Sequence, residues 1–64
     1  MARINGNEEE VRGITISQLL EQKGYEQRVV VVEINENIVP KSTYDSHVIQ
    51  NDDVVEIVSF VGGG

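Results

Sequence analysis

The sequence predicts an α+β domain of two layers, a mixed sheet of about five strands with one main helix packed on one face. Three observations predict it. Val and Ile dominate the apolar residues, whereas Leu occurs only at positions 19 and 20, and stiff β-branched side chains suit a pleated surface. Only one stretch, residues 15–24, carries a helical period between a start and a stop signal. Turn-forming residues break the rest into short strands.

The elements follow in order. Residues 2–4 form a first strand ahead of Asn5-Gly6, the pair best suited to a type I′ hairpin because both residues accept positive φ. A second strand is expected over about residues 9–12, with Val11 inward and Glu8-Glu9-Glu10 as a solvated edge. Thr15 with Gln18 three residues later makes a T-x-x-Q capping box, and Ile14 before it with Leu19 inside fits a hydrophobic staple. Ile16, Leu19, Leu20 and Lys23 share one face, and Gly24 supplies the left-handed stop.

Residues 28–34 read as a strand, apolar on both faces over 29–32. Asn35-Glu36-Asn37 is a turn, and Ile38-Val39 a short strand that Pro40 ends. Residues 41–46 suggest a helical turn around Tyr44, with Val48 and Ile49 as core plugs. Asn51-Asp52-Asp53 is a tight turn before a last strand at 54–61. A sheet crossed by one helix, in the order β-β-α-β-β-(turn)-β, is the β-grasp or ubiquitin-like arrangement. The expected division is a body of residues 1–61 and a flexible tail, Gly62, Gly63 and Gly64, moving on the nanosecond scale.

At 64 residues the chain has room for one small domain. Five Lys and Arg against 11 Asp and Glu give a net charge of −6 at pH 7. That argues against nucleic acid and anionic membranes as partners and favours a basic protein surface. With no Cys and one His, neither a disulfide nor a cysteine or multi-histidine metal site can staple the fold. The apolar runs are far shorter than a membrane span and no signal peptide is evident, so a cytoplasmic protein is expected.

The terminal glycines carry the chemical reading. A frayed tail or linker is one explanation of Gly62-Gly63-Gly64. The other is a carrier. A free α-carboxylate becomes reactive once adenylated, and glycines without Cβ thread a narrow channel at whatever φ and ψ the enzyme imposes.

Ile4-Asn5-Gly6, Thr15-Ile16 with Leu19-Leu20, Val32-x-Ile34-Asn35, Ile38-Val39-Pro40-Lys41, Asp53-x-Val55-Glu56-Ile57 and Val61-Gly62-Gly63-Gly64 occur in this order along essentially the whole chain. Together they resemble the bacterial sulfur carriers of the ThiS and MoaD type, the ThiS type above all. One departure is Asp52, where that family commonly has Gly in an Asp-Gly-Asp turn. Asp still enters the left-handed region, so the fold is unaffected. The resemblance implies that a ThiF-like adenylating enzyme activates the Gly64 carboxylate with ATP. It implies that a cysteine desulfurase or other persulfide donor supplies sulfur, and that the Gly64 thiocarboxylate serves thiazole synthase in thiamine biosynthesis. Catalytic residues then lie on the partners, and this chain is a co-substrate with no bound cofactor or metal.

Val54, Glu56, Val58 and Phe60 should face away from the helix if Val55 and Ile57 face it, and Val29 and Val31 join them. The expected result is an apolar patch for partner docking beside the tail, ringed by Glu33 and Glu56. His47, Ser17 and Ser59 lack the neighbours that catalysis needs, and Asp52-Asp53 reads as a solvated turn. Two alternatives remain open at this point. One is a carrier for another acceptor, such as molybdopterin, a tRNA base or an amino-acid precursor. The other is a ubiquitin-like interaction module that is never activated.

Overall fold

Asn5 and Gly6 both adopt positive φ, 49° and 87°, in the computed structural model, which describes residues 1–60. The turn pairs Ile4 directly with Asn7. Strand β1 (Ala2–Ile4) therefore meets β2 (Asn7–Glu9) without the gap the sequence reading left, and β2 starts two residues earlier than expected. A two-residue loop leaves no slack between the strands. Val11 is still buried, beyond the end of β2.

Helix α1 (Ile16–Lys23) begins as its sequence dictates. The Thr15 hydroxyl accepts from the Gln18 N–H, and the Gln18 side chain accepts from the Thr15 N–H, at 3.1 and 2.9 Å. Gly24 closes it at φ 80°. Ile16, Leu19 and Leu20 point into the core.

The expected strand at 28–34 starts later. Residues Gln27–Val29 form a single 3-10 turn, and β3 (Val30–Ile34) follows. The Lys41 ammonium explains the shift, because it donates hydrogen bonds to the Gln27 and Arg28 carbonyls and holds them in the turn. Asn35 and Glu36, at φ 52° and 72°, make a second tight hairpin to β4 (Asn37–Ile38). A further 3-10 turn, Lys41–Thr43, precedes buried Tyr44.

Val48 does not plug the core. It is exposed while Ile49 is fully buried, because adjacent residues of an extended segment face opposite ways. The turn at 51–53 places Asp52 at φ 71°. It leads into β5 (Val54–Ser59), and the position expected to extend this strand, Val61, lies outside the described residues.

The sheet order is β2-β1-β5-β3-β4, with β1 and β5 parallel and the other pairs antiparallel. The last strand is thus central. The β1–β5 ladder is short, and the Asn5 side chain extends it by accepting from Ile57 N–H at 2.7 Å and donating to the Ile57 carbonyl at 3.4 Å. The core lies between α1 and one sheet face, built on Ala2, Ile4, Val30, Val32, Val55 and Ile57. This is the β-grasp arrangement.

Tyr44 gives this core its pH dependence. Its hydroxyl accepts from the Val32 N–H at 3.2 Å, beyond the reach of two-residue β4. Burial pushes its phenol above the ordinary value of 10.0, and the bond from Val32 pulls it partly back. The folded state favours the neutral phenol. Its contribution is therefore complete below pH ~10 and is lost as pH rises from there through the folded-state value. Tyr44→Phe should cost about 1–3 kcal/mol near neutrality, since the buried Val32 N–H loses its acceptor. Urea denaturation should show the gap between wild type and variant narrowing above pH ~10. A constant gap would remove Tyr44 as the source of the alkaline loss.

Candidate functional site

Strand β5 alternates cleanly. Val55 and Ile57 are buried against the helix layer, while Val54, Val58 and Phe60 are 44%, 56% and 60% exposed on or beside the opposite face. The register then sets their neighbours. Val31 lies opposite Val58 and is half-buried on the open face. Val29 sits elsewhere: it belongs to the 3-10 turn and packs partly against the core. Its carbonyl still accepts the Phe60 N–H at 2.9 Å, continuing the β3–β5 pairing by one bond.

The open face has a member that the sequence reading left out. Ile38 is 69% exposed and lies opposite Glu33, so it extends the apolar surface across β4. The sequence offered adjacent Ile38 and Val39 with no sign of which faces out. The structure buries Val39. Lys41 is a second addition. Its ammonium lies 5.4 Å from the centroid of the Phe60 ring.

Glu33 and Glu56 do not ring the patch but lie directly opposite one another within it. Each of the three ion pairs among the described residues uses other acids: Glu8, Glu9 and Glu26. Like charges directly across a sheet are destabilising. Glu56→Gln should therefore stabilise the free protein by a few tenths to about 1 kcal/mol. The gain should shrink as added salt screens the repulsion. Urea titrations at low and high salt test this, and a salt-independent result would show that the two carboxylates do not oppose each other.

The remaining polar residues build structure. Asp53 accepts from the Gln50 N–H and the Asn35 side chain, at 2.8 and 3.0 Å, and so shapes the turn into β5. Ser17 donates to Asp45 and accepts from Gln27 at 3.0 Å. His47 lines a shallow groove of about 460 Å³ with Ile34, Asn37, Ile38 and Pro40. That groove shares Ile38 with the open face and is also lined by Asp53, just before β5. Among the described residues no group of three or more His, Cys, Asp or Glu could hold a metal ion, and no helix is long and apolar enough to cross a membrane. Gly62, Gly63 and Gly64 lie outside the described residues.

The profile of the ThiS family matches residues 2–64, nearly the whole chain and the glycine tail with it. The chain belongs to the ThiS family. A sulfur carrier protein ThiS from Bacillus subtilis is 44% identical over 50 residues, covering 78% of this chain and 76% of the relative. A thiazole synthase from Paramagnetospirillum magneticum is also 44% identical, over 62 residues. The alignment takes in 95% of this chain but only 19% of that protein's length, so a ThiS-like unit forms a small part of a larger polypeptide there. Among solved structures, the crystal structure of the thiamine biosynthesis protein ThiS from Geobacter metallireducens superposes with a TM-score of 0.80. It is 27% identical, with coverage of 98% of this chain and 97% of the other.

Proposed function

We propose that this ThiS-family chain is a sulfur carrier of thiamine biosynthesis that delivers sulfur from its C-terminal Gly64. The family match running through residue 64 carries the reading. The body presents the apolar face of Val31, Ile38, Val54, Val58 and Phe60 to partner proteins, and Gly62, Gly63 and Gly64 follow it in sequence as the reacting end.

The chemistry follows from the carboxylate. A ThiF-like adenylating enzyme joins the Gly64 carboxylate to the α-phosphate of ATP and releases pyrophosphate. The terminal sulfur of a persulfide, formed by a cysteine desulfurase or another donor, attacks the acyl carbon and AMP leaves. A thiol then cleaves the S–S bond, is oxidised to a disulfide, and leaves a thiocarboxylate on Gly64. Thiazole synthase consumes that sulfur. The presence of a ThiS-like unit within a thiazole synthase polypeptide favours this acceptor over molybdopterin, tRNA or an amino-acid precursor. The chain itself binds no cofactor and acts as a co-substrate, in the cytoplasm where ATP and thiols are supplied. Its lack of Cys leaves no internal thiol to compete for the activated carbonyl.

Intact-mass measurement tests the reading. After incubation with ATP, a ThiF-like enzyme and a persulfide donor, one oxygen of the chain should be replaced by one sulfur. An unchanged mass under conditions that load a known ThiS would overturn it.

A further inference from the structure

Asn5 is the one asparagine of five that a glycine follows. That neighbour bears on the durability of its side-chain amide. The backbone nitrogen of the following residue can attack an asparagine Cγ, and a glycine has no Cβ to screen that nitrogen. The surroundings of Gly6 add no screen, since a Cβ built there would meet no atom within 4 Å. Both residues are exposed at the tip of the β1–β2 hairpin.

The fold holds the amide elsewhere. Asn5 Oδ1 accepts from the Ile57 N–H at 2.7 Å, and Nδ2 donates to the Ile57 carbonyl at 3.4 Å. The Asn5 N–H donates to the Val55 carbonyl at 2.9 Å. Strand β1 pairs with β5 through Arg3–Val54 and Ile4–Val55, so Asn5 carries the contact onward to Ile57. Ring closure would swing Cγ off β5 and onto the Gly6 nitrogen. It would also turn the peptide plane that the positive-φ hairpin fixes. Neither movement is compatible with the two contacts to Ile57. Asn35 offers an internal comparison. It too has positive φ, 52°, and accepts from β5 at the Val54 N–H, but Glu36 follows it.

We propose that Asn5 is a deamidation site gated by the sheet, reacting only when its side chain has left Ile57. A base takes the Gly6 amide proton, and the nitrogen bonds to Asn5 Cγ. The Cγ–Nδ2 bond breaks, and the departing nitrogen takes up a proton and leaves as ammonia. Water then opens the succinimide at either carbonyl, giving aspartate or isoaspartate. Nothing is oxidised or reduced. Each product undoes the gate. Aspartate sets a carboxylate oxygen against the Ile57 carbonyl where a donor stood, and acceptor meets acceptor. Isoaspartate lengthens a two-residue turn that has no slack. Glu56 and Val58 flank Ile57, so the loosened junction reaches the open apolar face. The site is independent of any chemistry at Gly64.

Peptide mapping of the full chain tests this after parallel incubations in mildly alkaline buffer, with and without guanidinium chloride. In the unfolded sample, replacement of the side-chain NH2 by OH should appear at Asn5 well before Asn35. The native chain should convert at least about tenfold more slowly, because two hydrogen bonds must open first. Gly6→Ala should slow conversion of the unfolded chain, where the positive φ of the turn no longer strains an alanine. Asn5→Asp supplies one product directly. Its Ile57 N–H should exchange with deuterium about tenfold faster than in the wild type. Equal rates with and without guanidinium chloride would overturn the gate. Conversion at Asn35 as fast as at Asn5, no conversion of the unfolded chain, undiminished conversion in Gly6→Ala, or unaltered Ile57 exchange in Asn5→Asp would likewise overturn the proposal.

Discussion

Deleting Gly64 should abolish ATP-dependent sulfur loading and leave the fold unchanged. The shortened chain still ends in a glycine carboxylate, so the loss arises from reach and not from chemistry. One residue is about 3.4 Å of extended chain. Adenylation needs its reacting atoms about 3–3.5 Å apart and aligned, so a shortfall of that size should slow the step by at least about 100-fold. Stability should not change, because the buried core draws on residues 2 to 57. Intact mass after a timed incubation, read beside thermal denaturation, makes the comparison. Loading of the shortened chain at the wild-type rate would show that another group reacts, and would leave the unactivated module as the better description.

Phe60→Asp has the second largest expected effect. The ring is 60% exposed in the free protein and makes no part of the buried core, so folding should be intact. In a complex the same ring would be a central aromatic anchor of an apolar face, the kind of residue whose loss dominates binding energy. Replacing it with a carboxylate adds the desolvation of a charge. Affinity for a ThiF-like enzyme should fall about 100-fold, or roughly 3 kcal/mol. Calorimetric titration of the two proteins reads this directly. Unchanged affinity would remove the β5 face from the docking surface and shift attention to the groove beside His47.

The two effects occupy different links of one chain of cause. The Gly64 deletion tests the reacting end and the Phe60 substitution tests the surface that brings it to a partner. Lys41 borders that surface, its ammonium 5.4 Å from the centroid of the Phe60 ring. The opposed Glu33 and Glu56 fit the same picture. A repulsion that destabilises the free sheet is relieved when a basic surface covers it, which agrees with the net charge of −6.

The sequence by itself determined the elements whose causes are local. The Asn5-Gly6 hairpin, the Thr15–Gln18 capping box and the Gly24 stop each depend on contacts within a few residues. Their φ preferences and side-chain reach suffice to specify them. Alternation along β5 was equally legible, because period two is a property of the strand alone. Tertiary structure decided what depends on partners far along the chain. Gln27–Val29 turns in 3-10 form where the sequence suggested strand, and its carbonyls are held by Lys41, more than ten residues away. Which of Ile38 and Val39, or of Val48 and Ile49, faces the core was undecidable from adjacent apolar residues, since one step of register exchanges the two faces. The meeting of Glu33 with Glu56 likewise exists only because β3 and β5 pair in one register. Local propensities act over a turn or two, whereas pairing between distant strands is set by the burial of the whole core.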